Sequence, residues 1–217
     1  MKTIKLNNQF SKPVFYGLLL FFITMNLLLT YGATFFGPQK YNAGFFVLVG
    51  VIVPLTALAI PLIGSLIFKS ELMMTVLYIV KSLIISICIG LLSPAFLNNF
   101  SPDLIQHALI LTMLITIVMS ISGFLFQKFY EKIGNVLMLS LFILILVEVF
   151  NYFIPVINLS YLDIISAIIF SLFIGYDVYA ASKVERTLLS AIDCGCNIYL
   201  NIINLFVDIL SYFKHVD

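Results

Sequence analysis

The chain has 217 residues, of which 62% are hydrophobic and only 10% charged, and its mean hydropathy is +1.16. No water-soluble domain needs that much apolar surface, and a formal net charge of +1 leaves no basic footprint for nucleic acid. Apolar runs of about 20 residues recur along the chain, which reads as a polytopic helical membrane protein.

Lys2, Lys5 and Lys12 precede the first apolar run. That run is too long for the hydrophobic region of a signal peptide, and no small-x-small cleavage site follows it, so a retained first span is expected. Seven spans are read in chain order: about Val14–Phe36, Gly44–Phe68, Leu72–Leu92, Leu104–Phe126, Ile133–Pro155, Leu162–Ser182 and Leu188–Phe213. Short loops separate them, punctuated by Gly37-Pro38, Ser93-Pro94, Ser101-Pro102 and Pro155. Pro54 and Pro61, seven apart on nearly one face, are expected to kink the second span. The expected fold class is all-α: a seven-transmembrane-helix bundle forming a single integral membrane domain over residues 1–217.

Basic residues give the orientation. With the N-terminus inside, Lys2, Lys5, Lys12, Lys69, Lys128, Lys132, Lys183 and Arg186 lie on the inner side, and only Lys40 and Lys214 on the outer. This is a positive-inside bias for a cytoplasmic N-terminus. The Ile/Leu/Asn-rich chain with its short loops suggests a bacterial cytoplasmic membrane. Cys88, Cys194 and Cys196 all fall in spans, and the last two point to different sides of one helix, so neither a disulfide framework nor a metal site is expected.

The last span carries the most informative pattern. Ser190, Asp193, Asn197, Asn201, Asn204, Asp208 and Ser211 follow one another at intervals of three or four residues. At ~100° per residue they share an arc of roughly 80° on one helix face. A helix with two Asp and three Asn on one face inside lipid must turn that face to protein, water or an ion. Interhelical hydrogen bonds alone would not need a continuous line, so a water-lined path, or a central helix wrapped by the others, is the better reading. Four ionisable groups sit away from the loops. Lys81 lies mid-span in the third, Glu148 in the fifth with Asn151 one turn later, Asp177 in the sixth and Asp208 towards the outer end of the seventh. A lone charge at the bilayer centre costs about 2.5–3.5 kcal/mol, so these groups are expected to face one another or water, with Lys81 pairing with Glu148 or Asp177 as one arrangement.

The segment Ser171-Leu-Phe-Ile-Gly-Tyr-Asp177, followed by Tyr199-Leu-Asn201-Ile-Ile-Asn204-Leu-Phe206, resembles the Bax inhibitor-1 (transmembrane Bax inhibitor motif) family, whose sixth helix carries an aliphatic-Tyr-Asp motif and whose seventh carries Tyr-Leu-Asp-aliphatic-aliphatic-Asn-Leu-Phe. Gly123-Phe-Leu-Phe-Gln-Lys, Lys132-Ile-Gly and Asn151-Tyr-Phe add weaker support. The resemblance implies a seven-helix bundle with the last helix central, acting as a pH-sensitive calcium leak channel in which two Asp residues on the last two helices share a proton and latch the pore. The first corresponds to Asp177. The second corresponds to Asn201, which is not an Asp, so the pair here has one ionisable group and cannot titrate as a dyad. The family's basic residue near the inner end of the second helix has no clear equivalent; Lys69 is the nearest.

The hairpin between the last two spans offers a rival partner. In a symmetric turn centred on Glu185, Asp177 lies eight residues before and Asp193 eight after, which would set them at similar depth. Asp177, Asn201 and Asp193 are therefore the candidate gate and pH sensor. Ser190, Asn197, Asn204, Asp208 and Ser211 are the candidate pore-lining residues, with Lys81 and Glu148 as intramembrane counter-charges. Carboxylate and carboxamide oxygens suit Ca²⁺, other hard cations or protons, bound weakly as permeant ions rather than as a cofactor.

Two other functions fit the same residues: a membrane regulatory or interaction protein, for example a modulator of a membrane protease, and a proton-coupled transporter of a small solute or ion. An enzyme is not expected. There is no His-Glu-x-x-His pattern or Gly-x-Ser-x-Gly elbow, and an aspartyl hydrolase would need Asp177 and Asp193 as its pair. The last span has no Lys for a retinal Schiff base.

Overall fold

The computed structural model describes residues 9–40, 42–67, 70–153 and 159–216. Lys2, Lys5, Lys69, Pro155 and the side chain of Glu148 lie outside the described residues. All described secondary structure is helical, and seven helices are long and apolar enough to cross a membrane. They are α1 (Lys12–Thr34), α2 (residues 43–67), α3 (Glu71–Leu97), α4 (Pro102–Leu125), α5 (Gln127–Phe153), α6 (Leu159–Lys183) and α7 (Leu188–Val216).

Helix ends follow from local chemistry where the sequence supplies it. Ser101 caps α4, its hydroxyl accepting from the Leu104 N–H at 3.3 Å, with Pro102 in the first turn where its missing N–H costs nothing. The Asn42 carboxamide oxygen accepts from the Phe45 N–H at 2.8 Å at the start of α2. Thr187 precedes α7, and its hydroxyl accepts from the Ser190 N–H at 3.2 Å.

Two boundaries differ clearly from the hydropathy reading. The Ser93-Pro94 pair does not end α3, which runs on to Leu97. Pro94 falls in its last turns, where the lost bond touches few residues, and the Ser93 hydroxyl donates to the Ile89 carbonyl at 2.7 Å. Helix α5 begins at Gln127, six residues before the apolar run, with only Phe126 between it and α4. Hydropathy sees where lipid begins, and a polar first turn can be helical without entering it. In α2 the expected proline distortion takes a particular form: Val47–Ile52 is π-helical, ending two residues before Pro54. Pro54 cannot donate to the preceding turn and its ring crowds the carbonyl there, so the turn widens.

Two compact units make up the chain. One comprises residues 1–96 and 183–196; the other comprises residues 97–182 and 197–217, so α7 gives its first turns to one and the remainder to the other. Leucine, isoleucine and phenylalanine cover the exposed faces, as lipid requires. Helices α6 and α7 are the most enclosed, with 39% of the apolar window of each buried against 11% for α2.

In the first unit, α1 packs closely on α3 along Ser82, Ser86 and Gly90, which recur every fourth residue on one face of α3. Small residues at this spacing let two backbones approach. The Asn26 carboxamide oxygen meets the Ser82 and Ser86 hydroxyls, each at 2.8 Å, and the Thr30 hydroxyl donates to the Ser86 carbonyl at 3.2 Å. A Cβ on Gly90 would strike the Thr30 carbonyl and the Ala33 side chain. Gly90→Ala is therefore expected to cost about 1–3 kcal/mol, read as earlier thermal loss of the monodisperse peak in detergent. In the second unit the hydroxyl of the enclosed Tyr130 lies 2.6 Å from that of Ser122, and Gly175 leaves the space that the Tyr130 ring occupies.

Candidate functional site

Helix α7 is far more amphipathic than the other long helices, because its polar residues repeat in step with the turn. Its stripe meets different partners in each unit.

In the second unit Asp177 on α6 and Asn201 on α7 are joined directly. The Asn201 Nδ2 donates to Asp177 Oδ2 at 2.6 Å. A short bond to a carboxylate is the charge-assisted kind, about twice as strong as one between neutral groups. The pair opens onto a cavity of about 510 Å³, where Asn197 and Asn204 join it and Met138, Leu141 and Phe173 form apolar walls. Asp177, Asn201 and Asn204 are half-buried and Asn197 is exposed. Four polar side chains from two helices thus line one cleft within a membrane-spanning segment, and carboxamides there need water, an ion or a partner to satisfy them.

Further along the same two helices, the Ser166 hydroxyl donates to Asp208 Oδ2 at 2.6 Å, with Ser166 almost wholly enclosed. Near the end of α7, His215 Nε2 lies 3.7 Å from Asp163 Oδ2. Asn201, Asp208 and His215 are seven residues apart, two turns each, so one face of α7 meets α6 at three successive levels. Ser211, the remaining outer member of the stripe, is half-buried.

Within the first unit the stripe behaves differently. Asp193 Oδ1 accepts from Lys81 Nζ at 2.8 Å, with the Lys81 side chain 9% exposed and that of Asp193 35%. The ammonium also sits 4.7 Å from the centre of the Tyr78 ring. The side chain of Glu148 lies outside the described residues, and the partner found for Lys81 is Asp193, which the hairpin reading set opposite Asp177. The reason is helix neighbourhood. Depth in the membrane can be counted from a turn, whereas the helix that faces a given side chain cannot. Ser190 belongs to the start of the helix, its hydroxyl 3.1 Å from that of Thr187.

The Asn26, Ser82 and Ser86 cluster was not anticipated. Asn26 is completely enclosed, yet its Nδ2 has no hydrogen-bond partner. A lone Asn in the apolar run of the first span, and a Ser-x₃-Ser-x₃-Gly pattern in the third, were the signals available.

The sequence model of the family described as "Inhibitor of apoptosis-promoting Bax1" matches residues 8–217, nearly the whole chain. A search of curated proteins returns no significant match.

Proposed function

The chain belongs to the Bax inhibitor-1 family, and on that premise we propose that it is a pH-modulated calcium leak channel, latched by Asp177 on α6 and Asn201 on α7. One observation carries the reading: the 2.6 Å bond between those side chains, on the cleft that Asn197 and Asn204 share. While Asp177 is ionised the bond is charge-assisted and holds α6 to α7. Protonation leaves a neutral bond, and the latch loosens. A hydrogen bond to a charged group contributes about 1.5–3 kcal/mol against 0.5–1.5 for a neutral one. The difference of roughly 1.4 kcal/mol corresponds to about a tenfold change in the open population. Efflux therefore rises as the pH falls.

The oxygens of Asp177, Asn197, Asn201 and Asn204 offer a hard, weakly charged lining, which suits a permeant Ca²⁺ or another hard cation more than a tightly held one. Asp208 and Ser211 continue the lining. The membrane we assign is the bacterial cytoplasmic membrane, on the Ile/Leu/Asn-rich composition and short loops, with the N-terminus inside on the lysine and arginine distribution.

Calcium efflux from proteoliposomes containing the purified chain, compared with empty liposomes between pH 5 and 8, tests the reading. Efflux above the empty vesicles, increasing towards pH 5, is expected. Efflux equal to that of empty vesicles at every pH rejects a calcium leak and favours the regulatory or interaction role, which the exposed carboxamide of Asn197 within a span also suits.

A further inference from the structure

We propose that the second unit carries a binding site for an aminophospholipid between α4, α6 and α7. A cavity of about 410 Å³ lies there, within the ~300–1,000 Å³ range of small-molecule pockets. Its walls are almost entirely carbon, from Leu111 and Ile115 on α4, Ile168 on α6, and Ile209 and Phe213 on α7. The Ser171 hydroxyl at its edge is already committed to the Ala167 carbonyl at 2.7 Å. Beside the Tyr212 phenol, the exception is Asp163. Its Oδ2 is enclosed and has no hydrogen-bond donor, the nearest cation being His215 Nε2 at 3.7 Å, beyond bonding reach.

A carboxylate oxygen withdrawn from water and lacking a donor is costly, and a donor supplied by a ligand relieves that cost. The position selects the ligand. Asp163 is in the second turn of α6 and His215 in the last turn of α7, so both stand at the depth of lipid headgroups rather than in the hydrocarbon. An acyl chain fills the apolar groove. A primary ammonium donates to Asp163, and the adjoining phosphate meets His215 and Lys214, the basic residues of the last turn. Lys214 is already drawn over the Phe100 ring, 5.4 Å from its centre. A headgroup with a phosphate and an N–H-bearing ammonium satisfies all of these groups. A trimethylated headgroup carries the same charge and no N–H.

Native mass spectrometry of the purified full chain tests this with phosphatidylethanolamine, phosphatidylcholine and phosphatidylglycerol of identical acyl chains. Phosphatidylethanolamine is expected to be retained about tenfold over phosphatidylcholine, the equivalent of one charge-assisted hydrogen bond. Asp163→Asn should erase that preference while leaving overall lipid retention. Ala167→Phe, which fills the groove, should lower retention of all three lipids. Equal retention of the ethanolamine and choline lipids by the wild-type chain, a preference for phosphatidylglycerol, or an ethanolamine preference that survives Asp163→Asn would overturn the assignment. Should Asp163→Asn not fold, the wild-type comparison and Ala167→Phe still decide it.

Discussion

Asp177→Asn is expected to make calcium efflux independent of pH and to hold it at the level that the wild-type chain reaches in acid. The substitution keeps the shape of the side chain and its ability to bond Asn201, and removes the one ionisable group of the pair. What remains is a neutral bond at every pH, which is the state of the wild-type latch after protonation. At pH 8 the variant should therefore leak about ten times faster than wild type, and the two rates should converge as the pH falls. An elution profile unchanged from wild type separates this from a folding defect. A variant whose efflux still rises on acidification would remove Asp177 from the switch. One that leaks less than wild type at pH 8 would show that the charge of Asp177 serves to draw cations rather than to hold the latch.

The second large effect lies in the other unit, and it concerns stability. Lys81 is nearly enclosed and its ammonium is committed to Asp193. Lys81→Met removes the cation and leaves a half-buried carboxylate in a membrane-spanning helix. Breaking a buried pair from one side costs about 3–5 kcal/mol; Asp193 keeps about a third of its exposure, so the cost should lie near 3 kcal/mol. Replacing both partners, Lys81→Met with Asp193→Leu, should restore most of the loss, because apolar substitution of the whole pair removes the stranded charge. Fluorescence-detected size-exclusion chromatography after heating reads both. The expected order of thermal survival is wild type, then the double variant close behind, then Lys81→Met well below. If the single variant survived as well as the double, the pair would be an exposed ion pair of little consequence. With the latch proposed at Asp177 and Asn201, the pH dependence of efflux in the double variant should match wild type.

How far these residues could be read in advance depended on what each one needs. The seven spans follow from lipid alone, since a window of apolar residues near the bilayer thickness leaves little choice. The stripe on α7 follows from the helical repeat, and the bond between Asp177 and Asn201 was reached through the family motif rather than through spacing. Geometry from the turn alone offered Asp193 as a rival partner of Asp177, since a turn sets depth and not which helix a side chain faces; the bonds found are Asp177 with Asn201 and Asp193 with Lys81. Lys81 and Asp193 are 112 residues apart, and their pairing depends on which helices adjoin, which hydropathy does not encode. The same holds for Asn26 with Ser82 and Ser86. There the polar residues were visible in the sequence, and their meeting required the close approach that Gly90 permits. The polar start of α5 was missed because an apolar window detects the membrane and not the helix.

The latch itself is tested most directly by a double-mutant cycle at its two residues. Calcium efflux would be followed from pH 5 to 8 in proteoliposomes of wild type, Asp177→Asn, Asn201→Ala and the combined variant. If Asp177 and Asn201 act as one latch, either change alone removes the pH dependence and raises efflux at pH 8, and the combined variant leaks no faster than Asn201→Ala alone. Two effects that simply add, or an Asn201→Ala variant with the pH profile of wild type, would mean that the bond between α6 and α7 is structural and that the switch lies elsewhere.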